Sequence, residues 1–418
     1  MGIIFWICTI SVVCIITGVT FYKPYLGIAF VIVSIPFEGS KMFDGISIYP
    51  LETILVLLVG VCIYKLISGR EIFFRNRKLV FYYLPFMLCI LLSSLKFMEL
   101  SLTIKEIVRW LELIVVYFLT INLINDYKKV RVILYSMILT TAMVSMHGVV
   151  SYLAGVESVY DGRPGAYSFF GHPNGLAGYV NLIIPVLFGM LMTSVFLWER
   201  IALGAFTVLS IMSWFLAFSR SAWISLILAM IIIFFLTKVK KRVAILLAML
   251  FVIFAITFLS SNITDDFQDR LGLQEVEGRA MFYPIGFNMV KDDLIFGIGV
   301  GNYPLLIKKF TNMRFLVQND LHCLYLQMFV EAGLMGLCAF VFWLACISKY
   351  LMSALKSLEK SRDYGLFVGL VGGVIVYLFN NLANVLTVHG IHLQWGIILG
   401  LAVVLIQFRE SETCLKAV

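Results

Sequence analysis

Residues 201–242 read IALGAFTVLSIMSWFLAFSRSAWISLILAMIIIFFLTKVKKR, and this pattern decides the fold. Two continuous apolar runs, 201–218 and 221–236, stand back to back around Phe218-Ser219-Arg220. Lys238, Lys240, Lys241 and Arg242 close the stretch. Each run is roughly as long as a helix must be to cross a hydrocarbon core of about 30 Å. Neither run alternates apolar and polar residues, which excludes the strands of a membrane barrel. The stretch therefore reads as a hairpin of two membrane-spanning helices, with a tight corner on one side of a bilayer and a basic loop on the other.

The remainder of the chain extends this pattern. Of its 418 residues 61% are hydrophobic and 13% charged, and the mean hydropathy is +0.98, far from the balance of a soluble globular domain. Spans are expected near 2–20, 48–67, 79–95, 107–124, 132–153, 175–197, 201–218, 221–236, 243–260, 327–348, 364–386 and 392–408. With the shorter segment 25–36 this makes 12 or 13. The expected architecture is an all-α polytopic membrane protein, with 1–418 forming a single membrane domain. The N-terminus has neither a basic n-region nor a small-residue cleavage site, so the first span is expected to be retained. Eight cysteines are scattered without a C-x-x-C pair, against a zinc site or a disulfide framework.

Short loops rich in Lys and Arg stay in the cytoplasm. The basic loops are those around Lys65–Lys78, Lys128–Arg131, Arg200, Lys238–Arg242 and Lys349–Arg362, with 17 basic residues against five acidic ones. The long polar loop 261–325 instead holds eight acidic and six basic residues. It is expected outside, as are the 154–174 loop and the Phe218–Arg220 corner. The overall charge of +8 is thus a topology signal and not a nucleic-acid footprint.

Four polar constellations interrupt the apolar pattern. In Phe218-Ser219-Arg220-Ser221, an arginine at an outer turn runs against the positive-inside bias. It is either a headgroup anchor or an anion clamp, with Ser219 and Ser221 placed to cap the helix and donate to the same anion. Arg279 opens an amphipathic stretch leading to Gly297-Ile298-Gly299-Val300-Gly301-Asn302. These glycines lack the strand–helix context of a dinucleotide fingerprint and are read as turns that permit close backbone approach. His322, in Asp320-Leu321-His322-Cys323, stands where the polar loop meets the next span, as a structural residue or as a general base. His172-Pro173-Asn174-Gly175 is an outer entry turn. A cluster of Asn380, Asn381, Asn384, His389 and His392 either lines a cavity or locks helices together.

Taken in order, Gly171-His172-Pro173-Asn174-Gly175, Ser219-Arg220-Ser221-Ala222-Trp223, Gly278-Arg279, the glycine run, and His322 followed by Gly333 and Gly336 resemble the O-antigen ligase and Wzy-type polymerase superfamily. The likeness extends from about His172 to Gly336. Cys323 departs from the ligase signature, which has an amide or hydroxyl residue after the histidine. The resemblance implies an inverting, metal-independent glycosyltransferase of the GT-C type without cofactor, at the outer face of the bacterial cytoplasmic membrane. The implied donor is a glycan on undecaprenyl pyrophosphate. The implied acceptor is lipid A–core in a ligase, or a second lipid-linked glycan in a polymerase. Carried over by residue, Arg220 and Arg279 hold the pyrophosphate and His322 activates the acceptor hydroxyl, with His172, Asn174, Asn302 and Tyr325 as further candidates for substrate contact. The active-site residues are expected in the 261–326 loop and its flanking corners. A transporter or flippase of lipid-linked sugars is the rival from another class. It would require repeated halves and charges deep in the spans, and few such charges are evident, Glu331 being one.

Overall fold

The computed structural model describes residues 2–37, 41–43, 46–48, 50–69, 78–156, 165–238, 282–310, 320–387 and 390–417. Fourteen helices stand among them: α1 (Gly2–Tyr22), α2 (Pro24–Ser34), α3 (Pro50–Ile67), α4 (Lys78–Ser94), α5 (Leu100–Leu123), α6 (Tyr127–Leu153), α7 (Pro173–Thr193), α8 (Leu197–Leu216), α9 (Arg220–Leu236), α10 (Phe282–Val290), α11 (Tyr303–Phe310), α12 (Leu324–Leu358), α13 (Tyr364–Asn380) and α14 (Ile391–Ala417). One small antiparallel hairpin, β1 (Lys41–Phe43) with β2 (Ile46–Ile48), pairs Met42 with Ser47. The protein is an all-α polytopic membrane protein. Six described helices are long and apolar enough to cross a bilayer, and shorter apolar helices accompany them. Every expected span outside 239–281 coincides with a helix; the expected span 243–260 and Arg279 lie outside the described residues.

Two boundaries differ from the sequence-based expectation for physical reasons. The span expected over 364–386 ends at Asn380. There the side chains of Asn380, Asn381 and Asn384 bond to each other and to nearby backbone, and so compete with the helical ladder. The span expected over 327–348 lies in α12, which is broken at Gly333 (φ 69°, ψ −171°). That backbone conformation is essentially reserved for glycine.

At the centre stand α7 and α14, apolar and buried nearly all round, as a helix inside a bundle must be. Glycines set the approach of α13 to α7. A Cβ on Gly369 would lie 2.4 Å from the Pro185 carbonyl oxygen, and one on Gly189 would lie 2.7 Å from that of Gly365. Small residues let helix backbones come together where lipid gives no hydrophobic drive to association.

The loops sort onto two faces. On one, Ala166 N–H donates to Leu216 (2.8 Å), Leu324 N–H donates to Asn381 (2.9 Å), and Lys96 bonds Asp293. On the other, Lys238 pairs with Glu359, Tyr135 bonds Glu199, and Lys129 lies over the Tyr25 ring. This second face carries the basic loops.

Candidate functional site

The site is assembled from four corners on the face away from the basic loops. At the first, α8 ends and α9 starts with Arg220 as its first residue. Phe218 turns the chain in the left-handed region (φ 50°), unusual for a non-glycine residue, and its side chain is buried. The Phe215 ring stacks on Trp223 at 5.0 Å, bracing the corner. Ser219 occupies the N-cap position of α9 but makes no capping hydrogen bond. Its hydroxyl instead meets that of Ser221 at 3.2 Å.

At the second corner, His172 caps α7. Its Nδ1 accepts from the Asn174 N–H at 3.0 Å, and Pro173 fills the first helical turn, where its missing N–H costs nothing. An accepting Nδ1 places the ring proton of neutral His172 on Nε2.

The third corner carries His322, also left-handed (φ 53°). Asp320 holds it twice: Oδ1 accepts from the His322 backbone N–H at 2.9 Å and lies 3.4 Å from Nδ1. A carboxylate facing Nδ1 favours the tautomer in which Nε2 keeps its lone pair, the orientation a general base requires.

The fourth corner ties the others together. Asn384 donates to the Ser221 hydroxyl (2.5 Å) and to Asn380 Oδ1 (2.7 Å), while its carbonyl accepts from Leu324 N–H (3.1 Å). One residue thus links the Arg220 corner to the helix that begins beside His322. Asn384→Ala is expected to lower the unfolding temperature in detergent and the transfer rate together, since orphaned polar partners cost about 1–3 kcal/mol. Unchanged values of both would remove Asn384 from its linking role.

Between these corners lies a cavity of about 160 Å³. His172, Asn174, Asp320, His322 and Asn384 supply its polar wall, and Val385, Leu386 and Ile391 its apolar one. The structure therefore brings His172, Asn174 and His322 to one opening, with Arg220 next to Ser221 at its Asn384 edge. Asn302 and Tyr325 do not line the cavity. Asn302 is fully buried and spends its amide on backbone: Nδ2 donates to Lys96 and Ile298 (2.8 Å each), and Oδ1 accepts from Met98 N–H (3.0 Å). The Tyr325 hydroxyl donates to the Leu378 carbonyl at 3.0 Å. His392 is buried 3.9 Å from Glu112, and His389 lies outside the described residues.

The glycine run holds segment 294–299 onto α12. Breaking the helix at Gly333 removes the bonds that Leu334 and Met335 would have donated to Val330 and Glu331. Segment 294–299 replaces both. Ile298 and Gly299 N–H donate to Val330 and Glu331 (2.9 and 3.0 Å), while Leu334 and Met335 N–H donate to Leu294 and Ile295 (2.8 and 3.3 Å). The N–H groups of Leu334 and Met335 and the carbonyls of Val330 and Glu331 are thus all paired across the break. The buried Glu331 carboxyl group also accepts from Gly301 N–H at 3.2 Å, and Ser93 donates to the Glu331 carbonyl at 2.6 Å. At the exposed edge of this contact Lys96 bonds both Asp293 and the Gly297 carbonyl. That ammonium holds the Asp293 carboxyl below its usual range. A lowered value in the folded state means the clip is present at neutral pH and is lost only as pH falls through that value.

Asp320 is the residue at the cavity that sequence reading left without a role, while Asn384 belonged to the cluster read as cavity lining or helix locking. The signal for Asp320 was its place two residues before His322, where a left-handed turn folds the carboxylate back onto the ring.

The fold and this cavity define a polytopic membrane protein with a histidine–carboxylate pair at the converging corners of its helices. Residues 205–341 match the family model for O-antigen ligase, from α8 through the Arg220 corner, the glycine run and His322 to Gly336 in α12. Over this segment, about a third of the chain, the protein is similar to the O-antigen ligase family, and the similarity supports a ligase- or polymerase-type function in O-antigen biosynthesis. No curated protein matches the chain significantly.

Proposed function

We propose that the protein is an inverting glycosyltransferase of the ligase type. It moves a glycan from undecaprenyl pyrophosphate to a hydroxyl of lipid A–core at the outer face of the cytoplasmic membrane. The observation that carries this reading is the Asp320–His322 pair opening into a cavity beside the Arg220 corner. His322 Nε2 takes the acceptor hydroxyl proton, and the oxygen attacks the anomeric carbon. The carbon–oxygen bond to pyrophosphate breaks, and the leaving diphosphate keeps the electron pair. Asp320 stabilises the imidazolium formed, as a carboxylate does behind a catalytic histidine. Arg220 and Arg279 meet the negative charge that grows on the diphosphate; two fixed guanidiniums supply without a metal ion the stabilisation a divalent cation would otherwise give. His172 and Asn174 border the same opening and position the sugar.

Transfer by purified protein in detergent with EDTA tests this reading, with undecaprenyl-pyrophosphate oligosaccharide offered alone or with lipid A–core. Product on lipid A–core is expected. Laddering of the donor by itself would reassign the protein as a polymerase. Donor binding without any product would favour a transporter of lipid-linked sugars.

Arg220→Ala and Arg279→Ala are each expected to reduce transfer about 10²–10³-fold, the scale for removing one donor to developing charge, with insertion unaffected. Near-normal transfer by either would exclude that arginine from the diphosphate site.

A further inference from the structure

At the opposite ends of the helices from His322, the basic face encloses a larger cavity, of about 560 Å³. Arg131 of α6, Lys360 and Arg362 between α12 and α13, and Arg409 of α14 line it, against two carboxylates, Glu199 and Asp363. Glu199 is already engaged, accepting from the Tyr135 hydroxyl and from Ser194 Oγ (2.7 Å). The balance facing the cavity is therefore positive.

Three helices also begin at this rim. Tyr127 starts α6, Phe196 precedes α8 and Asp363 precedes α13, all lining the cavity, and neither Phe196 nor Asp363 caps its helix through a side chain. The amino ends of α8 and α13 add positive potential to that of the cations, whereas α6 is capped by Asp126, which accepts from the Lys129 N–H at 2.9 Å. The Ser361 hydroxyl, in the same lining, is buried without a hydrogen-bond partner. On the membrane side the wall becomes apolar, with Leu134, Met190, Leu366 and Leu405.

Cationic forks, helix amino ends and an orphan hydroxyl on one side, with aliphatic side chains continuing into the spans on the other, match an amphiphile with a phosphate head. We propose that this cavity binds the phosphate headgroup of an anionic phospholipid. Arginine grips phosphate oxygens bidentately, and basic pockets between spans at the basic-loop face recruit acidic lipid heads from the surrounding leaflet. None of these residues takes part in the proposed transfer, so the site stands or falls independently of it.

The test compares wild type with the Arg131→Ala/Arg362→Ala double variant, both purified in neutral detergent. Phosphatidylglycerol, phosphatidylcholine or inorganic phosphate is added, and the unfolding temperature and native mass spectrum are recorded. Phosphatidylglycerol is expected to raise the wild-type midpoint by a few degrees more than phosphatidylcholine and to remain bound in the spectrum. The double variant is expected to bind it at least about tenfold more weakly, as loss of charge-assisted bonds implies. Equal protection by inorganic phosphate alone would support the phosphate site and assign it to a soluble phosphate compound. Equal effects of the two lipids on wild type, or an unchanged response in the variant, would overturn the proposal. Should the double variant not accumulate, Lys360→Glu, at an exposed position, reverses one charge at the same rim and is held to the same criteria.

Discussion

His322→Ala loses glycan transfer by about 10²–10⁴-fold, the contribution of a positioned general base, while inserting and unfolding like wild type. The side chain is one-quarter exposed and faces the cavity, so its removal leaves no void in the apolar core. Asp320→Asn separates the proposed mechanism from a merely structural role. Asparagine can still accept from the His322 N–H and keep the turn, but it cannot stabilise an imidazolium. Transfer is expected to fall less than in His322→Ala. The acidic limb of the rate profile is expected to move to lower pH, because an imidazolium without its carboxylate gives up its proton more readily. An Asp320→Asn enzyme with the wild-type pH profile would show that the carboxylate only shapes the turn. A His322→Ala enzyme with near-normal transfer would remove the base from the mechanism altogether.

Gly333→Ala is expected to abolish transfer by undocking the outer loop. A Cβ there would lie 2.2 Å from the Ile295 carbonyl oxygen and 2.4 Å from its carbon, both backbone atoms that cannot swing aside. The positive φ adds about 1–3 kcal/mol of strain for any L side chain. Opening the contact forfeits the four backbone bonds between 294–299 and α12, each with a net value of about 0.5–1.5 kcal/mol. A Cβ on Gly297 would meet the other side of the same contact, 2.6 Å from the Glu331 carbonyl. The two glycines are therefore complementary, and Gly297→Ala should mimic Gly333→Ala. Gly60→Ala and Gly204→Ala provide the contrast. A Cβ at either meets nothing within 4 Å, and alanine favours the helix by roughly 0.5–1 kcal/mol. Thermal unfolding in detergent, read alongside transfer, checks all four. Wild-type stability and transfer in Gly333→Ala would sink the docking of the loop on the broken helix.

Much of the architecture was legible because each span is a local event. Residues 201–236 carry enough apolar length to cross a bilayer whatever the rest of the chain does, and the structure has α8 and α9 there with Arg220 at their junction. The charge count separated the loops into the same two groups that contacts such as Lys96–Asp293 and Lys238–Glu359 now join. The glycine run was legible as a place of close backbone approach, but not what approached it. Gly333 lies more than thirty residues along the chain from Gly297, and only the break in α12 makes them partners. Asn302 drew notice as a polar residue beside glycines. Its amide proved to be wholly committed to backbone, a fate that residue type alone does not reveal. The amide cluster at Asn380–Asn384 had two readings, cavity lining and helix locking, and Asn384 does both. The sparse deep charge expected around Glu331 is supplemented by Lys105, Glu106, Arg109 and Glu112 in α5, which begins at Leu100 rather than near 107.

Hydropathy and charge act residue by residue along the chain, so the amino-acid order alone was enough to specify a helical membrane protein, its corners and their grouping on two faces. It also singled out Arg220, Arg279 and His322. The bundle alone decided which corners meet. His172, Asp320, His322 and Asn384 come from segments that hydropathy treats as independent. They converge because glycines let α13 close on α7, and because the broken α12 sets segment 294–299 against its own backbone. Those are long-range contacts between surfaces, and no local period in the sequence encodes them.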